Sequence, residues 1–190
     1  MGWFGTGVYL SLIPRVDCWR DEALITIRPE TPSDISAIRR VNELAFGQTN
    51  EAKLVDALRT VAQPYISLVA VAADQVVGHI FFSPVTIESG PANAMGLAPM
   101  AVLPDYQKQG VGSLLVRDGL VEAQRAGFNI VVVLGHPGYY PRFGFIPASQ
   151  KKLRSEYPVP DEVFMVIELE PGALKEKHGL VKYHPEFSRV

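Results

Sequence analysis

The segment from Ala98 to Leu115 constrains this chain more than any other, because a strand-like run, a glycine turn and the start of an amphipathic helix follow in immediate succession. The run Ala98-Pro99-Met100-Ala101-Val102-Leu103 leads to Gln107-Lys108-Gln109-Gly110-Val111-Gly112-Ser113, and apolar residues then recur at Leu114, Leu115, Leu120, Val121 and Ala123. The first amides of a helix lack intrahelical partners and lie at the positive end of its dipole, so such a start attracts anions. Gly110 and Gly112 carry no side chain that would hold a phosphate away, and a diphosphate fits that geometry. A glycine pair alone is equally compatible with a packed turn. A Walker A loop needs Lys followed by Ser or Thr after its last glycine, and a dinucleotide-binding turn needs G-x-G-x-x-G; neither pattern is present.

The flanking sequence predicts alternating strands and helices. Leu24 to Arg28 are β-formers stopped by Pro29, and Thr31-Pro32-Ser33-Asp34 supplies a helix start. Ile35, Ile38, Val41, Leu44 and Ala45 then recur at helical spacing, and a second helix fits Asn50 to Val61. Two strand-like runs, Ile66 to Ala73 and Val76 to Pro84, meet at a polar turn, Asp74-Gln75, as a β-hairpin. Ala94 to Leu103 reads as a strand in which Pro99 demands a bulge, a splayed edge or an interruption. A helix from Gly110 to Ala126 ends at Gly127, and Ile130 to Leu134 is apolar enough for a strand covered on both faces. A short helix over Tyr139 to Phe143 and strands at Phe145-Ile146-Pro147 and Glu162 to Leu169 complete the pattern, an α/β (α+β) mixed sheet flanked by helices.

Charge and cysteine usage narrow the function class. Eighteen basic residues nearly cancel twenty acidic ones, so no overall field recruits nucleic acid or an anionic membrane, and any anion site is local. The single cysteine, Cys18, excludes an intrachain disulfide and a cysteine metal cluster, which suits a cytoplasmic protein, and it reads as an inert thiol. The apolar stretch around Gly7 to Pro14 has no basic lead and no small-residue cleavage site, and it is too short to cross a bilayer. Residues 1–23 are therefore expected to be an extension or arm, 24–170 one domain, and 171–190 a tail packed on it or extending from it.

Gln107-x-x-Gly110-x-Gly112 closely resembles the Q/R-x-x-G-x-G/A signature of the GNAT acetyltransferases. Ala98 to Pro104 is similar to that family's central strand, which splays from its neighbour so that pantetheine pairs with exposed backbone; this gives Pro99 a place. Tyr140-Pro141-Arg142-Phe143-Gly144-Phe145 resembles the family's Y-x-x-x-G-F element, whose tyrosine faces the thioester sulfur. The resemblance spans about residues 25 to 169, and the string from Val133 to Phe145 points to the YhbS-like bacterial group. It implies a mostly antiparallel twisted sheet of about six to seven strands, splayed centrally. It also implies acetyl-CoA as cosubstrate, a primary amine as acceptor, no metal, and a monomer or homodimer. Cofactor contacts fall on Ala101, Val102, Leu103, Gln107, Lys108, Gln109, Gly110, Val111, Gly112, Ser113 and Tyr140. The asparagine that many members carry after the fifth strand is missing, and with it a cofactor contact.

Tyr140 is the candidate general acid, since a phenol beside the thioester sulfur can protonate the departing thiolate. The bland alternative is an aromatic core residue, and Tyr139 lies only one residue away. An attacking amine must lose a proton, and Glu51 and His79 are the candidate bases. Glu51 equally complements a helix N-terminus, and His79 is equally a hydrogen-bonded strand histidine. His136 reads as a solvated turn residue. Lys108 is the first candidate for the cofactor's 3′-phosphate, whereas Lys151, Lys152 and Arg154 read as a solvated basic segment. A catalytically silent CoA-binding sensor shares all these features except the need for Tyr140.

Overall fold

The computed structural model describes residues 24–189; the expected arm and Cys18 lie outside the described residues. The chain opens with β1 (Thr26–Pro29), a 3-10 turn (Pro32–Asp34), α1 (Ile35–Phe46) and α2 (Asn50–Val61). The Asp34 carboxylate makes the first corner, accepting from the Thr31 amide at 2.8 Å and from both terminal nitrogens of Arg28 at 2.7 and 2.9 Å. Those hydrogen bonds, with the Arg28 guanidinium foremost, hold its carboxyl well below the usual range. Gly47, in the left-handed conformation at φ +71°, ends α1.

β2 (Ile66–Ala72) and β3 (Gln75–Pro84) pair antiparallel. The turn between them is Ala73-Asp74, one residue earlier than the sequence suggests, with both residues at positive φ. That is the backbone of a two-residue hairpin loop, whose twist matches the strands. β1 begins two residues later and ends one residue later than expected, and it includes Pro29 opposite Leu68, which an edge strand tolerates because its outer edge needs no amide.

After β4 (Thr86–Ile87), β5 (Ala94–Val102) forms the centre of the sheet, followed by α3 (Val111–Arg125), β6 (Ile130–Leu134), β7 (Ile146–Pro147), β8 (Leu153–Ser155), β9 (Phe164–Glu168) and β10 (Gly179–Lys182). The seven-stranded sheet has the order β1-β2-β3-β5-β6-β9-β7, and β4-β10-β8 make a second, three-stranded sheet. Within the larger sheet only β5 and β6 run parallel. The large sheet is thus mixed, mostly antiparallel and flanked by helices, as its sequence implies. Residues 171–190 contribute β10, whose Val181 is fully buried.

Successive strand residues face opposite sides, and β3 separates two layers. Gly78 lies under α3, where a Cβ would stand 3.0 Å from Leu115 and 3.2 Å from Val111. Its neighbour His79 faces α1 and meets Asn42. Phe81 and Phe82 are completely buried on opposite sides, each contributing roughly 1.5–3 kcal/mol of apolar burial.

Candidate active site

The central strand loses a partner halfway along. β5 pairs with β6 from Ala94↔Ile130 to Leu97↔Val133 and no further, whereas its pairing with β3 continues to Val102. Pro99 sits where the two behaviours change. Leu97 faces Phe82 and Met100 faces Ile80, so β5 takes three steps against two of β3. That is a bulge, and it turns Met100 and Val102 toward the α3 side of the sheet while Ala101 stays opposite His79.

The glycine turn lies directly beyond. Lys108 at φ +61° and Gly110 at φ +89° bend the chain so that α3 begins at Val111 with its first amides facing outward. Gln107 donates from Nε2 to the Val102 carbonyl at 3.0 Å, tying the turn to the strand end. A cavity of about 350 Å³ lies between these parts, lined by Met100, Val102, Gln107, Lys108, Gly110, Gly112, Ser113, Tyr139 and Arg142. Of the expected cofactor contacts, the side chains of Ala101, Leu103 and Val111 are buried away from it, and Gln109 folds back to the Asp105 carbonyl at 2.6 Å. Backbone groups of these residues are the part left to contact a ligand.

The adjacent tyrosines diverge. The Tyr139 hydroxyl hangs over α3, 2.8 Å from where a Cβ on Gly112 would stand. The Tyr140 ring lies against Gly135, just past the end of β6, where a Cβ would come within 2.1 Å of it; no residue but glycine fits. Tyr140 is 6% exposed and packs edge-on to Tyr139, at 5.2 Å, and to Phe145, at 5.6 Å. Burial, and then the neighbouring Tyr139, raise its pKa, so the phenol remains protonated. The sequence did not single out Met100, Tyr139 or Arg142 as contacts. The alternation of strand side chains through the bulge was the signal for Met100. Arg142 stands three residues after Tyr139 on a 3-10 turn (Tyr140–Phe143), a spacing that stacks the two.

The two candidate bases sit differently. His79 is fully buried, with Nδ1 3.2 Å from Asn42 Nδ2 and Nε2 3.0 Å from Ser67 Oγ. Asn42 Nδ2 also donates to the Ile38 carbonyl, so its second hydrogen goes to His79 Nδ1 and the ring proton is on Nε2. Nε2 donates to Ser67 Oγ, which donates to Glu30 Oε2 at 2.6 Å; Glu30 also receives Arg59. Burial pulls the His79 pKa down to about 3. Both ring nitrogens of the expected base His79 are thus engaged by protein side chains, the pattern of a hydrogen-bonded strand histidine. Glu51 opens α2, half-buried, and accepts from Gln48 Nε2 at 3.0 Å. His136 is exposed in its turn and accepts from the Gly138 amide. Lys151 is bound to Glu168, away from the cavity.

Among the described residues no helix is long and apolar enough to cross a membrane, and no group of three or more His, Cys, Asp or Glu is placed to hold a metal. A strand that parts from its neighbour beside a glycine-lined helix start defines the GNAT class. The acetyltransferase (GNAT) domain profile matches residues 26–148, and the chain belongs to this family. It is 39% identical over 166 residues to the uncharacterized N-acetyltransferase YhbS of Escherichia coli K12, covering 86% of this chain and 98% of that protein. The crystal structure of Escherichia coli YhbS in complex with CoA superposes with a TM-score of 0.83 at 37% identity, covering 88% of this chain and 94% of that one. A GNAT acetyltransferase from Brucella melitensis in complex with acetyl-CoA superposes with a TM-score of 0.72 at 37% identity, covering 87% and 99%.

Proposed function

We propose that this protein transfers the acetyl group of acetyl-CoA to a primary amine by direct attack, with Tyr140 as general acid. The observation that carries the reading is the parting of β5 from β6 after Leu97, directly beside the open amides of α3. Free backbone on β5 suits the amides of pantetheine, and the α3 amides with Gly110 and Gly112 suit a diphosphate. The YhbS and Brucella relatives crystallised with CoA and acetyl-CoA support the same ligand here.

The positions of the two tyrosines support Tyr140, rather than Tyr139, as the acid. Tyr139 stands over Gly112 at the phosphate end, whereas Tyr140 stands at the end of β6 where the strands part, the place for a thioester. The amine nitrogen attacks the acetyl carbon, the carbon–sulfur bond breaks, and Tyr140 gives its phenolic proton to the departing sulfur. The proton lost by the amine passes to Glu51, directly or through water. Tyr140→Phe tests the reading: turnover of acetyl-CoA with the best amine should fall about 100- to 10,000-fold with CoA affinity nearly unchanged. Tight CoA binding without transfer to any amine, in the wild-type protein, would instead indicate a sensor.

A further inference from the structure

Tyr139 and Arg142 line the cavity without a task in the chemistry above. They project from one short turn, and the Arg142 guanidinium lies 4.7 Å above the Tyr139 ring. Its Nη2 donates to the Gly138 carbonyl at 3.1 Å, so stacking and a backbone hydrogen bond hold an exposed cation at the cavity wall. Among the described residues, neither Arg142 nor Lys108 has a carboxylate within ion-pair distance. The cavity therefore brings together two uncompensated cations, a phenol and the amides of a fifteen-residue helix.

We propose that Tyr139 and Arg142 form a clamp that closes the phosphate cradle beside the α3 amides. Tyr139 donates its hydroxyl to the diphosphate lying over Gly112. Arg142, whose planar fork matches phosphate oxygens, pairs with the same group and is aimed by its stack on Tyr139. Bulk and charge arrive together, because residues three apart on a 3-10 turn share one face. The inference rests on the reading of this cavity as the CoA site.

The test compares two acetyl donors, acetyl-CoA and S-acetylpantetheine, which lacks the diphosphate. In Arg142→Gln, kcat/KM for acetyl-CoA should fall about 10- to 100-fold through KM, while the value for S-acetylpantetheine stays within about twofold. Arg142→Lys should recover part of the loss, since the charge returns without the fork. Tyr139→Phe should raise KM for acetyl-CoA about threefold to tenfold and leave kcat alone. Equal losses with both donors would make Arg142 a scaffold residue, and no loss with either would make it a solvated surface cation; either outcome overturns the clamp. Absence of CoA binding by the wild-type protein would remove the underlying cofactor reading instead, and calorimetry on that protein separates the two failures.

Discussion

The polar chain beneath α1 and the amide cradle at the start of α3 occupy opposite faces of the same strand, β3, and they handle polar groups in opposite ways. On the His79 face, Arg59, Glu30, Ser67, His79 and Asn42 bond to one another in a chain, and of these five side chains only Asn42 leaves a buried atom, Oδ1, unpartnered. On the Gly78 face, α3 packs its side chains down onto the sheet, and its first amides, together with Lys108 and Arg142, border an open cavity. Polar groups that satisfy each other build the fold, whereas polar groups lacking partners at a cavity wall are built for a ligand. A histidine in the middle of a strand resembles a catalytic base in sequence, but its closed hydrogen bonds place it with the first kind.

The contrast predicts that damage will separate cleanly between activity and stability. The largest effect belongs to the proposed proton donor, where Tyr140→Phe lowers kcat about 100- to 10,000-fold, with a thermal midpoint close to wild type. Tyr139→Phe, read by the same assay, should leave kcat nearly intact. If the two results exchanged places, the assignment of Tyr139 to the phosphates and Tyr140 to the sulfur would be reversed.

The sealed side should respond in the other currency. His79→Ala opens a cavity and strips partners from Ser67 and Asn42, a loss of about 2–4 kcal/mol by denaturant titration, with kcat preserved where the variant is folded. A catalytic defect without a stability defect would restore His79 as a base.

Acid should act on the same residue. The folded pKa of His79 is lowered to about 3 from 6.5, so between those values the unfolded chain binds the extra proton. Its contribution is complete above 6.5 and is lost as pH falls toward 3, by up to about 1.4 kcal/mol per pH unit. The wild-type stability curve should therefore fall more steeply than that of His79→Ala between about pH 6 and about pH 4, inside that window. Parallel curves would mean that the buried ring takes up its proton without unfolding.

The smallest effect lies at the corner before α1. Asp34→Asn keeps the shape but removes the charge that Arg28 and the Thr31 amide share, and should cost about 1–2 kcal/mol in a chemical melt without altering KM. A change in KM there would couple the α1 corner to the cavity.

Local patterns made much of this legible. Gln107-x-x-Gly110-x-Gly112 marks the cradle because the helix start and the absent side chains are properties of neighbouring residues. Pro99 marks the bulge because proline lacks the amide a central strand needs. What escaped depends on contacts distant in sequence. The β4-β10-β8 sheet joins short segments separated by up to about ninety residues, and none carries a strand-length apolar pattern. The closed chain of His79 needs Glu30, Asn42 and Ser67, which come from the end of β1, from α1 and from β2. Where the two adjacent tyrosines point follows from Gly112 and Gly135, glycines distant in sequence that receive one hydroxyl and one ring.

The cradle itself is tested most directly by calorimetric titration of CoA into Gly112→Asp. Gly112 lies within α3 on ordinary helical backbone, and the one atom within 3 Å of a new Cβ is the end of the Tyr139 side chain, which can swing aside. The variant should fold with a near-normal thermal midpoint. Its carboxylate would stand where the diphosphate meets the helix amides, and CoA binding should weaken by more than about 100-fold. A folded Gly112→Asp protein that binds CoA with the wild-type dissociation constant would show that the cofactor does not bind at the start of α3.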